Sequence, residues 1–382
     1  MKRVLLLIMA LCMLLCACTA TIPEQTLPPV NTTAAPTETT VPPETTVETE
    51  LATEETTAPT ETTLPPETTA ATEPSVLFRS PLTGEPADSL CTTRPCAVTI
   101  NNQTGALPLC SLSQAEILVE ILAEGAITRF VGIYDDISDL DHIGSIRSTR
   151  PYLVDIAESF DAIYIHHGGS RDGYGRVYDL DTANVDAERN AGGYFYRDQT
   201  RLDYGYDLEH TSFADGEDLL QAAQDLGYDL SKEEGYDYGF CFGDAGSAAD
   251  ESADTVTVVF GGYGKTTSFA YDATANTYTL SEYGEAQEDG NTGDKLCYRN
   301  VICIGARTGQ YIDRDNINRM DIDLMDEGTG YFACDGKVSA IRWSRQGEYD
   351  PFVFTHEDGT PIILGIGKTY IGITPTDGYL EY

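Results

Sequence analysis

Residues 116–134 read EILVEILAEGAITRFVGIY, and this stretch decides the organisation of the first folded part of the chain. Apolar residues fill both alternating sets of positions from 117 to 122, apart from Glu120. Gly125 interrupts the run, and β-prone residues resume at Ile127. The pattern predicts a β-hairpin with both faces partly buried. A helix through 113–123 is the alternative, because a short apolar run fits both periods.

Helices and strands alternate after this hairpin. The apolar spacing from 150 to 159 predicts a helix, and Pro151 suits its first turn. Residues 161–166, DAIYIH, predict a strand, and the acidic residues at the start of 215–226 favour a second helix. We therefore expect an α/β layered domain over residues 76–230.

The sequence pattern changes in the second half. Residues 231–253 are acidic, glycine-rich and without apolar periodicity, which predicts a linker. From 254 to 382 short runs of alternating polarity are separated by turns such as Asp335-Gly336, a pattern typical of antiparallel strands. The expected fold class is α+β, with an N-terminal α/β layered domain followed by a mostly antiparallel β C-terminal domain.

The N-terminus has the layout of an export signal. Lys2 and Arg3 precede an apolar stretch that is too short to span a bilayer, and the stretch ends at Cys18. This layout predicts a bacterial lipoprotein signal over residues 1–18, cleaved so that the Cys18 thiol carries a lipid. The alternative is an uncut anchor or an ordinary secretory signal. We expect the protein to lie lipid-anchored on the extracytoplasmic face of a cell membrane, in a Gram-positive bacterium.

Residues 19–75 have the composition of a spacer. They hold 20 Thr, 10 Pro and 10 Glu, no Lys, Arg or aromatic residue, and a repeated unit at 36–46 and 59–69. Because its sequence shows no apolar periodicity from which a core could form, this segment is predicted to be a disordered stalk. The whole chain carries a net charge of −39, a field that repels polyanions, so we expect no nucleic-acid partner.

Nine stretches are familiar as a set: RPCAVTINN (94–102), LSQAEI (112–117), AEGAITRF (123–130), IGSIRSTRPY (143–152), DAIYIHHGGS (161–170), NVI (300–302), GTGY (328–331), IRWS (341–344) and GKTYI (367–371). Together they resemble the YerB-like family of bacterial lipoproteins. The chain departs from that family at 208–212, LEHTS, where a Pro-His-Asn segment is common and His210 keeps the histidine. The resemblance implies a cell-surface lipoprotein with two paired domains, and it implies no reaction.

Residues suited to bind an anion gather in the α/β half. Arg147, Ser148 and Arg150 precede the helix expected at Pro151, where free backbone N–H groups favour negative charge. Guanidinium groups there can grip a phosphate or carboxylate. The candidate ligand-binding set is Glu120, Arg129, Arg147, Ser148 and Arg150. The alternative is that the arginines pair with acidic residues of the chain itself.

Histidines provide the candidates for acid–base chemistry or ligand contact. His166 and His167 end the strand predicted at 161–166, at the edge where α/β folds bind ligands, and His210 is the third candidate. Neighbouring residues of a strand point to opposite sides, so at most one of His166 and His167 faces a shared site. The alternative is a histidine that local hydrogen bonds satisfy beside a glycine turn.

The sequence lacks the motifs of well-known enzyme classes. It has no nucleophile elbow, phosphate loop or dinucleotide loop, and we expect neither a metal nor a cofactor. The acidic run 313–327 is predicted to be a solvated loop, with a weak calcium site as the alternative. The tyrosine- and glycine-rich residues 173–207 are a candidate contact surface.

We expect a protein that binds a cell-envelope component: a wall polymer, a glycan or an envelope protein. The membrane, through the N-terminal lipid, is the other expected partner. The alternative is an extracytoplasmic enzyme that acts on an anionic or glycan-linked wall substrate.

Overall fold

The structure is a computed structural model that describes residues 78–382. The predicted signal peptide, with Cys18, and the predicted stalk lie outside the described residues. Within the described part, residues in strands clearly outnumber those in helices. No helix in that part is long and apolar enough to cross a membrane.

The first half of the described chain contains four helices and ten strands, several of them only two residues long. The strands are β1 Phe78–Arg79, β2 Pro86–Ala87, β3 Cys96–Asn102, β4 Ile117–Leu122, β5 Thr128–Tyr134, β6 Ile143–Gly144, β7 Ile163–His166, β8 Asn184–Asp186, β9 Tyr196–Arg197 and β10 Ser212–Ala214. The helices are α1 Pro151–Glu158, α2 Arg171–Asp179, α3 Gln199–Asp203 and α4 Gly216–Asp225.

The second half consists of strands and turns. Its strands are β11 Cys241–Gly243, β12 Glu251–Ser252, β13 Thr255–Val259, β14 Thr266–Asp272, β15 Thr277–Glu282, β16 Glu285–Ala286, β17 Cys297–Tyr298, β18 Asn300–Ile312, β19 Asn318–Asp323, β20 Glu327–Cys334, β21 Lys337–Ser344, β22 Val353–His356, β23 Ile363–Gly365, β24 Thr369–Pro375 and β25 Tyr379–Glu381.

Strands from both halves share one central sheet. Its order is β12-β21-β20-β18-β24-β4-β5-β3-β7-β8, with β19 beside β18 and β22 beside β21. The halves meet where β4 pairs in parallel with β24, from Ile117 opposite Thr369 to Ile121 opposite Ile373. Both strands are buried along their whole length, as expected for strands covered on both faces. A hydrogen-bonded seam therefore joins the two halves.

A smaller sheet, in the order β16-β15-β14-β13-β25 with β17 beside β15, packs on this seam. The Phe269 and Tyr370 rings lie 4.7 Å apart between centroids. Val258 approaches Gly372 so closely that a Cβ there would lie 2.9 Å from its methyl group. Strand β15 alternates between buried and partly exposed residues, which is the pattern of a sheet with one face on the core.

Most predicted elements are present. Strands β4 and β5 form the expected antiparallel hairpin, so the helical alternative over 113–123 is wrong. Helices α1 and α4 and strand β7 confirm the helix–strand alternation. The fold class is confirmed in part: strand pairs within the second half are antiparallel apart from β11–β23 and β18–β24, while the first half mixes parallel and antiparallel pairs around few helices.

Two segments carry structure that their patterns did not predict. In the predicted linker 231–253, β11 pairs with β23 and β12 with β21. Helix α2 contains two glycines, which disfavour helix, and its sequence pattern does not predict it. At Gly173 the packing is tight, because a Cβ there would lie 3.1 Å from the Thr149 carbonyl oxygen. Ser170 begins this helix by accepting a hydrogen bond from the Gly173 amide at 3.0 Å.

Strands β18 and β19 form a long hairpin that reaches over the first half. The Tyr311 hydroxyl donates to Asp172 at 2.7 Å, and Arg319 contacts Glu124 at 3.6 Å. Much of the acidic run 313–327 is therefore hairpin instead of solvated loop, since Arg319 donates to Asp313 at 2.8 Å and β19 buries every second side chain. In residues 78–382 no group of three or more His, Cys, Asp and Glu side chains is arranged to hold a metal ion.

Candidate functional site

A cleft of about 270 Å³ opens where β7 ends, beside the loop that leads into α1. Strand β7 delivers His167 to its wall, and β9 contributes Arg197 from the other side. The lining residues are Ile146, Arg147, Ser148, His167, Glu188, Arg197, Leu208 and Glu209. The structure thus brings Arg147, Ser148 and His167, three of the predicted residues, into one site.

His167 is held at both ring nitrogens. Arg197 can only donate hydrogen bonds, so its contact at 3.0 Å makes the His167 Nε2 atom an acceptor. The ring proton therefore lies on Nδ1, which donates to the Ser212 hydroxyl at 2.5 Å. Burial and the neighbouring Arg197 charge lower the pKa of His167 below its usual range. The imidazole is neutral at physiological pH.

Two guanidinium groups, those of Arg147 and Arg197, and two carboxylates, those of Glu188 and Glu209, line the cleft. Arg147 donates to the Glu209 carboxylate at 3.1 Å, and its partner is about half exposed. Arg197 donates to the Leu208 carbonyl at 2.8 Å and to His167, and it forms no salt bridge within the described part of the chain. Among residues 78–382, Arg197 therefore has no carboxylate in direct contact, whereas Arg147 is paired with a half-exposed glutamate, an interaction that solvent weakens.

Glu188 lies at the rim of the cleft. Its carboxylate sits over Gly168, where a Cβ would lie 2.6 Å from the carboxyl carbon. Gly168 has φ +70°, a left-handed conformation that favours glycine. The glycine turn after His167 is therefore covered by the side chain of Glu188, a residue of the same chain.

Arg150 and Arg129 lie behind the cleft. Arg150 forms a bidentate pair with Glu124, at 2.6 and 2.8 Å. This is the kind of contact that the alternative hypothesis predicts, in which the arginines pair with acidic residues of the chain itself. Arg129 is buried and donates to the Ser148 carbonyl at 2.7 Å. Burial and the nearby Arg150 charge lower the pKa of Arg129 to about 10. These two arginines position the loop of Arg147 and Ser148 and add positive potential behind it.

The other two candidate histidines, His166 and His210, lie outside the cleft. His166 is fully buried, and its Nδ1 donates to the Gly168 carbonyl at 2.9 Å. His210 is buried as well and accepts a hydrogen bond from the Asn101 amide at 2.8 Å. Burial lowers the pKa of both residues. The opposite orientation of adjacent strand residues thus separates His166 from His167.

Glu120 lies apart from the cleft, in a buried polar network at the seam between the halves. Its carboxylate is fully buried and accepts hydrogen bonds from Thr128, Thr267 and Tyr370 at 2.6, 2.7 and 2.6 Å. Lys265 lies 3.3 Å away and holds the pKa of Glu120 below its usual range against the effect of burial. Because the Glu120 side chain has no access to solvent and does not line the cleft, its hydrogen bonds serve to hold the two halves together.

Sequence reasoning did not single out Arg197, Glu188 and Glu209, which complete the cleft. Arg197 and Glu188 lie within the tyrosine- and glycine-rich segment 173–207, which was predicted as a contact surface only in general terms. Glu209 neighbours the candidate His210, yet nothing in its spacing reveals that it reaches Arg147. These contacts depend on the folded loops and leave no periodic signal.

Comparison with known proteins defines the class. Residues 82–229 match the N-terminal domain, and residues 256–371 the C-terminal domain, of a family described as protein of unknown function, DUF3048. The chain is 33% identical over 304 residues to a Bacillus subtilis protein named "Putative lipoprotein YerB", covering 78% of this chain and 86% of the relative. A crystal structure of YerB from Bacillus subtilis matches with a TM-score of 0.68 and 30% identity, covering 80% of this chain and 99% of that one. The chain belongs to the YerB family, as its sequence resemblance predicted.

Proposed function

We propose that this protein is a lipid-anchored protein of the cell envelope that binds an anionic component of the wall through the cleft at Arg147 and Arg197. The observation that carries the proposal is that, of the two guanidinium groups in the cleft, Arg197 forms no salt bridge among residues 78–382, although the chain has a net charge of −39. Phosphate and carboxylate groups are the natural ligands of such a pair. Wall polymers that carry these groups surround a protein at the membrane face.

The chemistry of the cleft favours binding over catalysis. The Nε2 lone pair of His167 is occupied by Arg197, so it is not free to take a proton from a substrate. The Ser212 hydroxyl accepts a hydrogen bond from His167, the reverse of what activates a serine nucleophile. The enzyme alternative would require Arg197 to leave His167 when substrate binds.

Membrane attachment rests on Cys18, the residue that the signal pattern selects for lipid. We expect a palmitate analogue supplied to growing cells to label the protein, and a Cys18→Ser variant to be unlabelled. A variant of the neighbouring Cys16, Cys16→Ser, is the matched control and should stay labelled. Equal labelling of the wild type and Cys18→Ser would contradict the anchor.

Wall binding is tested by sedimenting the purified, detergent-solubilised protein with isolated wall fragments. We expect the wild type to be retained and Arg197→Gln to bind at least about tenfold more weakly, because the Arg197 charge forms no salt bridge among residues 78–382. Retention should fall as salt is raised.

The control is Arg342→Gln, which removes the same charge from an exposed position on β21. It should leave retention unchanged. Equal retention of the wild type and Arg197→Gln on fragments from several wall types would overturn the proposed site, and absence of retention for the wild type would overturn the proposed ligand class.

A further inference from the structure

The polar network at the seam places a lysine and an asparagine side chain together inside the protein. Asn102 ends β3 in the first half, and Lys265 precedes β14 in the second. Both are buried, as are the two glutamates between them, Glu120 and Glu282. Burying charged groups at such a depth is unfavourable unless they are paired and hydrogen-bonded.

The two glutamates hold the lysine amine and the asparagine amide on the same oxygen atoms. Asn102 Nδ2 donates to Thr128 Oγ1 at 2.8 Å and to Glu282 Oε1 at 2.9 Å, and it also lies 3.2 Å from Glu120 Oε1. Lys265 Nζ forms an ion pair with that same Glu282 Oε1 and lies 3.3 Å from that same Glu120 Oε1. An amine and a carboxamide that share two acceptor atoms lie next to each other.

Two atoms of this cluster have no hydrogen-bond partner among residues 78–382. They are Asn102 Oδ1, the carbonyl oxygen of the amide, and Glu282 Oε2. Leaving a buried acceptor without a donor is unfavourable, so each such atom calls for an explanation. A reaction at the Asn102 carbonyl, with Glu282 carrying a proton, would use both atoms.

We propose that Lys265 and Asn102 react with each other to form an intramolecular amide bond, Nζ to Cγ, that joins the two halves of the protein. The bond needs no enzyme, cofactor or oxidant. It makes the seam covalent in a protein whose cysteines are all free in the described part of the chain.

The reaction balances with the groups present. The Lys265 ammonium gives one proton to Glu282, and the free amine attacks Asn102 Cγ while the carbonyl electrons move to Oδ1. The second Nζ proton passes by way of Glu120 to Nδ2, the Cγ–Nδ2 bond breaks, and ammonia leaves. One proton stays on Glu282, so the site keeps a single negative charge, on Glu120.

The environment supports these proton movements. Burial and the Glu120 charge raise the pKa of Glu282 to about 7, so this carboxyl can hold a proton at neutral pH. Burial opposes the charge on Lys265, but Glu120 and Glu282 together raise its pKa. The free amine is therefore a minor species and the reaction is slow, which is sufficient for a bond that forms once in each molecule.

The test is peptide mapping of the full chain purified from the membrane. Trypsin does not cleave after an acylated lysine, so we expect residues 80–129, with Asn102, to appear joined to an uncleaved 233–295. The joined product should be one ammonia lighter than the sum of the two peptides. Separate peptides ending at Lys265 in the wild type would overturn the proposal.

Variants separate the proposed bond from other links. Lys265→Arg keeps the positive charge but should yield unjoined peptides and migrate more slowly than the wild type in denaturing electrophoresis. Glu282→Gln, which cannot take the proton, should also stay unjoined. If peptide 233–295 were instead found alone and one water lighter, with Lys265 joined to Glu282 inside it, the assignment to Asn102 would be wrong.

Discussion

Replacing Glu120 by alanine is expected to lower the free energy of unfolding by about 3–5 kcal/mol. The substitution removes an acceptor of three buried hydroxyl groups, those of Thr128, Thr267 and Tyr370, and one partner of Lys265. Of the three, Thr267 keeps Glu282 as a second acceptor, at 2.9 Å. Urea unfolding followed by the fluorescence of Trp343, the one tryptophan of the chain, measures the effect. The three hydroxyl groups lose this acceptor whether or not Lys265 is joined to Asn102 in the wild type.

The matched control is Glu285→Ala, at an exposed strand position near the same network. Its effect should stay within about 0.5 kcal/mol. The sequence-based hypothesis made Glu120 a ligand-binding residue, and the variant tests that alternative directly. If Glu120→Ala kept its stability but lost retention on wall fragments, the structural role assigned to the network would be wrong.

The sequence predicts those parts of the fold that depend on neighbouring residues. The hairpin of β4 and β5 follows from two apolar runs around Gly125, and α1 from its apolar spacing and Pro151. The seam between β4 and β24 has no such signal, because residues about 250 positions apart pair only after both halves fold. Both strands are apolar on both faces, so their pattern indicates burial without naming a neighbour.

The candidate site shows the same limit at the level of single residues. Residue type and position, at a strand end for His167 and before a helix for Arg147 and Ser148, predict three residues that line the cleft. They did not distinguish Arg150, which pairs with Glu124, from Arg197, which forms no salt bridge in the described part of the chain. In a chain so rich in acidic residues, which arginine finds a partner depends on loop geometry that no spacing encodes.

Substitutions at Arg147 and Glu209 are expected to change the affinity for an anionic wall polymer in opposite directions. The two side chains pair at 3.1 Å, so the glutamate competes with a ligand for the same guanidinium. Arg147→Gln should weaken binding by about 30-fold, which corresponds to about 2 kcal/mol for a lost charged hydrogen-bond pair. Glu209→Gln should strengthen binding by about threefold, because an exposed ion pair contributes less than about 1 kcal/mol.

Titration of the wild type and both variants with one soluble anionic polymer gives the comparison, and the double variant completes the cycle. In the double variant Glu209→Gln should have almost no effect, since its contribution depends on the Arg147 charge. Glu209 also lies near His210, at 3.8 Å, so thermal unfolding of each variant checks that the loop is intact. If both single variants weakened binding equally, Glu209 would itself contact the ligand, and the cleft would recognise a polar group such as a sugar hydroxyl in place of an anion.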